Sequence, residues 1–391
     1  MKKGKTAYSL PIIIIIGLCI IFNVAAWKSA AFSDFYVTNI FPVITGLYGR
    51  VTSFVSFSVG EVLLAAVVLY IAFLLVFVLV HTIILTVARF SGENSRKDTL
   101  AGRILNKISD ILYRVTPVLL TITIVIMSLN CFVLYHCSRI GIGVQASEDD
   151  YNIVELTQLR DYVVRKCNEL SKKVPHDENG NVLYEGNMAE TAKEAMLGLS
   201  GEYPRLGGYY VTPKALYFSD FMCQQYMQGY YFPFSMEANY NDTMNMMHKP
   251  FTMCHELAHT HGYIYEDEAN FFGFLACINS DDIVFQYSGY LGVLNYINND
   301  FYDAVGEKEY KKHVKISDRV KYDNQFLSPE GWQEVEKKAV IKTETVKKAA
   351  DTFVDTNLKA NGVSAGKASY RYVVGLIMDY YYNNSVLARV S

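Results

Sequence analysis

The sequence predicts a predominantly α-helical α+β domain carried behind three transmembrane helices. Three observations lead there. Apolar residues crowd into the first third of the chain as three long uncharged runs. Most of the remainder spaces its apolar residues at helical intervals. A short aromatic stretch with strand character interrupts that spacing just before a histidine-containing helix.

The 391 residues carry a net charge of −3, and 51% of them are hydrophobic. No basic stripe runs through the polar part, which excludes nucleic acid as a partner. The composition divides the chain into a membrane domain, residues 1–140, and a water-soluble domain, residues 141–391. The second is long enough for its own core. Seven cysteines are present without a C-x-x-C pair, so neither a cysteine zinc site nor a thioredoxin-like motif is expected. Cys254 and Cys277 read as small buried residues in preference to a disulfide.

The apolar runs cover about residues 10–27, 62–88 and 115–135. Each approaches the ~20 residues of a membrane-spanning helix, and none shows the polar stripe of a soluble helix. Lys2, Lys3 and Lys5 before the first run, and small residues after it, also fit a signal peptide. The length of the run favours a retained anchor. Positive charge gathers at the amino terminus and in the loop after the second run, at Arg89, Arg96, Lys97, Arg103, Lys107 and Arg114. Both therefore face the cytoplasm. The expected topology is a multi-pass protein of the cell membrane whose soluble domain is extracytoplasmic and whose spans are embedded in the lipid bilayer. Phe32 to Gly60, semi-apolar and aromatic, reads as an interfacial or re-entrant piece.

In the soluble domain, Gly141–Gly143 and Ser147–Asp150 read as a linker and helix cap. Helices are expected over 151–173 and 188–199, and later over 271–277, 287–297, 332–357 and 369–382. Between them, Tyr209–Val211, Ala215–Phe218 and Gly229–Phe234 have strand character. Pro233 cannot donate to a ladder, so the last of these belongs at a sheet edge. An edge strand can take an extended peptide as an added strand. On this reading Tyr231, Phe232, Glu237, Ala238 and Asn239 are the candidate substrate-binding residues.

The chemistry is carried by His255-Glu256-Leu257-Ala258-His259. Positions i and i+4 share a helix face, so both imidazoles can bind one Zn2+ ion. Pro250 suits the first turn of that helix, and Gly262 can end it in a left-handed conformation. Catalytic zinc takes three protein ligands and leaves one position open. Glu266, Glu268 and His261 are the candidates for the third, in that order. Glu266 and Asn270 are also spaced i, i+4, so Asn270 can support a ligand histidine. In a regular helix Glu268 points about 160° away from that face.

These motifs are similar to those of the gluzincin zinc peptidases, whose second helix carries Glu-x-x-x-Asp. The resemblance implies a zincin-like fold with Glu266 as third ligand and the residue at 270 supporting a histidine. This sequence has Asn270 where the clan has aspartate, which keeps an acceptor without the charge, and a shorter separation between the motifs. More narrowly, the chain resembles a bacterial membrane-bound family of uncharacterised zinc peptidases. It shares with them three amino-terminal spans, Gly229–Phe234 with Glu237-Ala238-Asn239, His255–Asn270-Phe271, Leu358–Gly362 and Ser369-Tyr370.

The expected function is a membrane-anchored, zinc-dependent peptidase acting on a peptide or protein substrate. Glu256 would be general base toward a zinc-activated water. Gluzincins often stabilise the oxyanion with a tyrosine or histidine from a later helix, which makes Tyr287 and Tyr290 candidates for catalytic roles. The alternative is a catalytically inactive, zinc-binding membrane sensor or binding protein that keeps the fold. The intact Glu256 argues against it.

Overall fold

The computed structural model describes residues 3–90, 100–140 and 152–383. Three of its helices are long and apolar enough to cross a membrane, with windows at Leu10–Lys28, Val59–Val87 and Gly102–His136. The first lies in α1 (Lys3–Lys28) and is followed by the short helices α2 (Ala30–Asn39) and α3 (Phe41–Ser53). The second is α4 (Val59–Phe90); the third comprises α5 (Leu100–Asn130) and a 3₁₀ turn, Phe132–His136. Helix α5 begins well before residue 115, where the sequence alone placed the span. Its 31 residues reach ~46 Å, beyond the ~30 Å hydrocarbon core. Arg103, Lys107, Asp110 and Arg114 therefore belong to its first turns and not to a loop. Arg96, Lys97 and the linker and cap expected over Gly141–Asp150 lie outside the described residues.

Polar pairs join the spans. The Asn23 amide donates to Ser128 Oγ at 2.9 Å, and the Tyr70 hydroxyl meets Thr116 Oγ1 at 2.7 Å. In an apolar surround such bonds help fix helix neighbours.

The part of the chain after α5 is predominantly helical. It runs through α6 (Ile153–Leu170) and α7 (Met188–Gly198), then β1 (Lys214–Ala215), α8 (Ser219–Gln224), β2 (Gly229–Phe232) and β3 (Glu237–Tyr240). Next come α9 (Lys249–Thr260), α10 (Glu266–Ile278), α11 (Ile283–Tyr310) and α12 (Asp318–Asp323). The chain closes with α13 (Pro329–Lys338), α14 (Thr343–Ala360) and α15 (Val373–Asn383). The helix expected over 332–357 is thus two helices. Val340, 99% exposed, sits in the break, where no core contact rewards continuing the first. The sheet is smaller than the aromatic stretches suggested. Its order is β1–β3–β2, with β1 parallel and β2 antiparallel to β3. Strand β2 lies at an edge and stops just before Pro233.

Helices α6, α9, α10 and α11 form the main core, around residues such as Leu159, Val163, Leu257, Phe272, Phe274 and Leu294. Gly273 of α10 lets that helix approach the backbone of α9. A Cβ there would stand 3.2 Å from the His255 nitrogen. A second apolar cluster joins the membrane part to the domain: Tyr36, Val37 and Phe41 pack with Val133, Leu134 and Ile264. The other face of α3 and the residues after it stay exposed at Val43, Leu47, Val51, Phe54 and Phe57.

Candidate metal centre

The core buries α9 completely along its last turns, and with it His255, Glu256 and His259. Three ligand atoms converge there. Nε2 of His255 and Nε2 of His259 are 3.1 Å apart. Glu266 Oε2, from the first turn of α10, lies 3.2 Å from the first and 3.7 Å from the second. Four ligands at 2.0–2.1 Å around a tetrahedral zinc stand ~3.3 Å from one another. The triangle has that size, and among the described residues this trio is the group suited to hold a metal ion.

Local structure makes the convergence possible. Gly262 ends α9 with φ +82, a conformation glycine adopts without strain. A Cβ at that position would also run into Val37 of α2. The chain then turns within four residues and α10 starts at Glu266, bringing its first turn back to the histidines. The His259 ring is oriented by its own loop: Nδ1 lies 2.7 Å from the Tyr263 carbonyl. That keeps a proton on Nδ1, so the proton lost on metal binding is the one on Nε2, whose lone pair then faces the cluster.

Charge in the cluster is tightly linked. Burial lowers the pKa of His259, but the hydrogen bond and charge of Glu266, with Glu256, outweigh it and raise the value to about 9. Burial dominates for His255 and lowers its pKa. Burial opposes ionisation of Glu266, yet the two histidines hold its carboxyl well below the usual range. Glu256 has no such partner, and burial pushes its pKa up to about 8. Its Oε2 is buried without a hydrogen bond. On its other side β2 closes in: a Cβ on Gly229 would stand 2.8 Å from Glu256 Oε1.

Glu268 and His261 are held away from this cluster. Arg139 Nε and the Ile140 N–H donate to Glu268 Oε1 at 2.9 Å and 3.0 Å, and Arg139 also binds Asp267. The His261 ring stacks on Tyr210 at 3.9 Å, and burial lowers its pKa to about 4. Asn270 is buried, and its side-chain amide, as a polar neighbour of each, raises the pKa of His255 and lowers that of Tyr296. Neither His255 Nδ1 nor Asn270 Nδ2 completes a well-formed hydrogen bond.

Two expectations about the site are corrected by the packing. The Tyr287 hydroxyl donates to Asp323 Oδ2 at 2.9 Å, and that of Tyr290 meets Tyr162 at 3.4 Å. Both are core residues on faces of α11 turned to other partners. Tyr296, about 180° round the helix from Tyr287, is the one whose ionisation feels Glu266. Tyr370, in the 3₁₀ stretch before α15, lies close enough to Glu266 for its pKa to be raised first by burial and then by that carboxylate. Neither tyrosine was singled out by spacing; the Ser369-Tyr370 pair entered the sequence reading only through the family resemblance.

The second correction is Glu237. It is buried and its carboxylate is fully engaged, so it has no group left for a substrate. Lys214 Nζ donates to it at 2.5 Å, Ser235 Oγ at 2.6 Å, and the Val59 and Gly60 amides at 3.1 Å and 2.8 Å. Ala238 and Asn239 are likewise buried in the central strand, with the Asn239 amide turned to backbone carbonyls of its own hairpin. Phe232 packs against Gly60 at the start of α4. Tyr231 is the substrate-binding candidate whose ring stands beside the cluster, 6.2 Å from that of His259.

No curated protein and no solved structure matches the chain. A family model does, over residues 36–378, which takes in the cluster, both of its helices and Tyr370. By that match the chain belongs to the family described as Protein of unknown function (DUF3810).

Proposed function

We propose that this protein is a zinc-dependent peptidase with a zincin-like domain, anchored in the cell membrane with its centre on the extracytoplasmic side. The observation that carries the reading is the approach of His255 Nε2, His259 Nε2 and Glu266 Oε2 to within tetrahedral ligand spacing, on two consecutive helices. The donor set of two imidazoles and one carboxylate suits zinc. The buried, unpartnered Glu256 Oε2 fits beside it, since a group with no internal partner is satisfied by something that binds.

A bound zinc ion would supply Lewis acidity, acidifying a water and polarising a carbonyl. His255, His259 and Glu266 would hold it. Glu256 Oε2 accepts the proton of the attacking water and returns it to the departing amine. The free edge of β2, level with Glu256 through Gly229, is where an extended peptide would align.

The test is zinc analysis of the purified full chain, followed by digestion of an unstructured protein by wild type and Glu256→Gln. One zinc per chain in both, with hydrolysis reduced ~10²–10⁴-fold in the variant, is expected. Turnover by Glu256→Gln at the wild-type rate would overturn the mechanism. Zinc without hydrolysis in wild type would leave the zinc-binding sensor.

A further inference from the structure

We infer that the bonds cleaved here lie in juxtamembrane segments of membrane-anchored polypeptides, a substrate class that rests on the peptidase reading above. One side chain joins the centre to a span. The Tyr231 ring stands 6.2 Å from that of His259, and its hydroxyl donates to the Asn130 carbonyl at the end of α5 at 3.3 Å. Asn130 lies inside the third membrane window.

Strand β2 makes a second link. At one end a Cβ on Gly229 would meet Glu256 Oε1 at 2.8 Å; at the other, Phe232 Cδ1 would meet a Cβ on Gly60 of α4 at 2.7 Å. From Gly229 to Phe232 the strand covers about 10 Å at ~3.3 Å per residue. The edge that would align a substrate therefore runs from the proposed base to the mouth of the second span. A peptide added there is led toward the bilayer surface.

Two carboxylates hold this arrangement rigid from opposite sides. Glu237 of the sheet accepts the first amides of α4, Val59 and Gly60. Glu61 of α4 accepts the Tyr217 and Phe218 amides of the domain at 2.8 Å and 2.9 Å. A carboxylate in the first turn of an apolar span is costly unless it is satisfied. Satisfying it puts Tyr217 and Phe218 level with that turn, where their side chains are 88% and 55% exposed. Phe221 follows at 50%. Aromatic side chains at that level form the interfacial belt of membrane proteins. The domain thus rests on the membrane beside its own spans, and a tethered substrate arrives at high effective concentration.

The reaction adds water across a peptide bond, breaking C–N and leaving a carboxylate and an amine. Its test uses the full chain with zinc in vesicles. A randomised twenty-residue peptide is presented either free or fused to a transmembrane anchor, and cuts are mapped by mass spectrometry. Cuts within the first few residues of the anchor, and at least tenfold slower cleavage of the free library, are expected. Glu61→Ala, with zinc content unchanged, should scatter the cut positions. Equal cleavage of both libraries would overturn the substrate class and leave the peptidase. Cleavage of neither, or release of fatty acid from vesicle lipid instead, would overturn both. Independently of turnover, the sole tryptophan of Phe218→Trp in a Trp27→Phe, Trp332→Phe background should be quenched by brominated lipid, and quenching only by a water-soluble agent would overturn the membrane placement.

Discussion

Oε2 of Glu266 stands 3.2 Å from Nε2 of His255, although the two residues belong to different helices. The contact exists because Gly262 ends α9 in a left-handed turn and Tyr263 holds His259 by its carbonyl. A metal ion at that point has its ligands chosen for it by backbone geometry.

Ligand identity is therefore testable residue by residue. Replacing His255, His259 or Glu266 by alanine should lower zinc affinity by more than the ~10–100-fold seen when only a supporting residue is lost. Asn270→Ala should fall within that range. Glu268→Gln and His261→Ala should leave affinity unchanged, because Arg139 and Tyr210 hold those side chains elsewhere. Competition against a chromogenic chelator measures all six. Full affinity in Glu266→Ala with loss in Glu268→Gln would reverse the assignment.

Metal binding should release a proton. The His259 pKa of about 9 in the metal-free protein means that the imidazolium form prevails at pH 7. Coordination requires the neutral ring. At least one proton should leave per zinc at pH 7, from His259 and in part from Glu256, whose pKa burial raises to about 8; the release should fade as the pH passes 9, and affinity should rise with pH up to that point. Calorimetry in buffers of different ionisation enthalpy reads the number directly; zero protons at pH 7 would contradict the His259–Glu266 pairing.

Gly229 should be intolerant of any side chain. A Cβ there would lie 2.5 Å from the Asn239 carbonyl oxygen as well as 2.8 Å from Glu256 Oε1. The first is backbone and cannot swing aside, so Gly229→Ala must push β2 away from the base. Zinc content should be kept while kcat/KM falls about tenfold or more, as misplacement of ~1 Å costs up to ~10²-fold. Unchanged kinetics would show that β2 does not set the position of Glu256.

Glu237→Gln should destabilise the domain without touching the zinc ligands. The change leaves Lys214 buried, 3% exposed at its side chain, beside a neutral amide. Breaking one partner of such a pair costs about 3–5 kcal/mol. Lys214 keeps the Thr52 and Phe57 carbonyls at 2.6 Å and 3.0 Å, so the lower end of that range is expected. Chemical denaturation in detergent would detect it. A change under 1 kcal/mol would mean that the clamp is dispensable.

Much of the architecture was legible from local pattern. The apolar runs gave three long helices, and Pro233 gave an edge strand. Pro250 and Gly262 bracketed the motif helix, and Glu266 opened the next. Where the reading failed, the missing information was non-local. Spacing cannot say that α5 extends about four turns before its apolar stretch, since charged residues are equally good helix formers in water. Nor does it tell a tyrosine at the cluster from one in the core, as Tyr287 and Tyr370 show. Glu237 looked like a substrate-binding acid because its buried partners, Lys214 and the head of α4, are distant in sequence.

By itself, then, the sequence determined which residues could ligate a metal, because the i, i+4 pair and the following helix start are local features of backbone geometry. It also determined that three helices are long and apolar enough to cross a membrane, because each holds a run of about twenty apolar residues. Tertiary structure alone decided that Glu266 and not Glu268 meets the histidines, through the turn at Gly262 and the competing pull of Arg139. It alone decided that Tyr231, Gly229, the buried Glu237 and the partly exposed Glu61 set the cluster beside the ends of the long apolar helices. Those contacts join segments far apart in the chain, and only packing chooses among the partners that sequence allows.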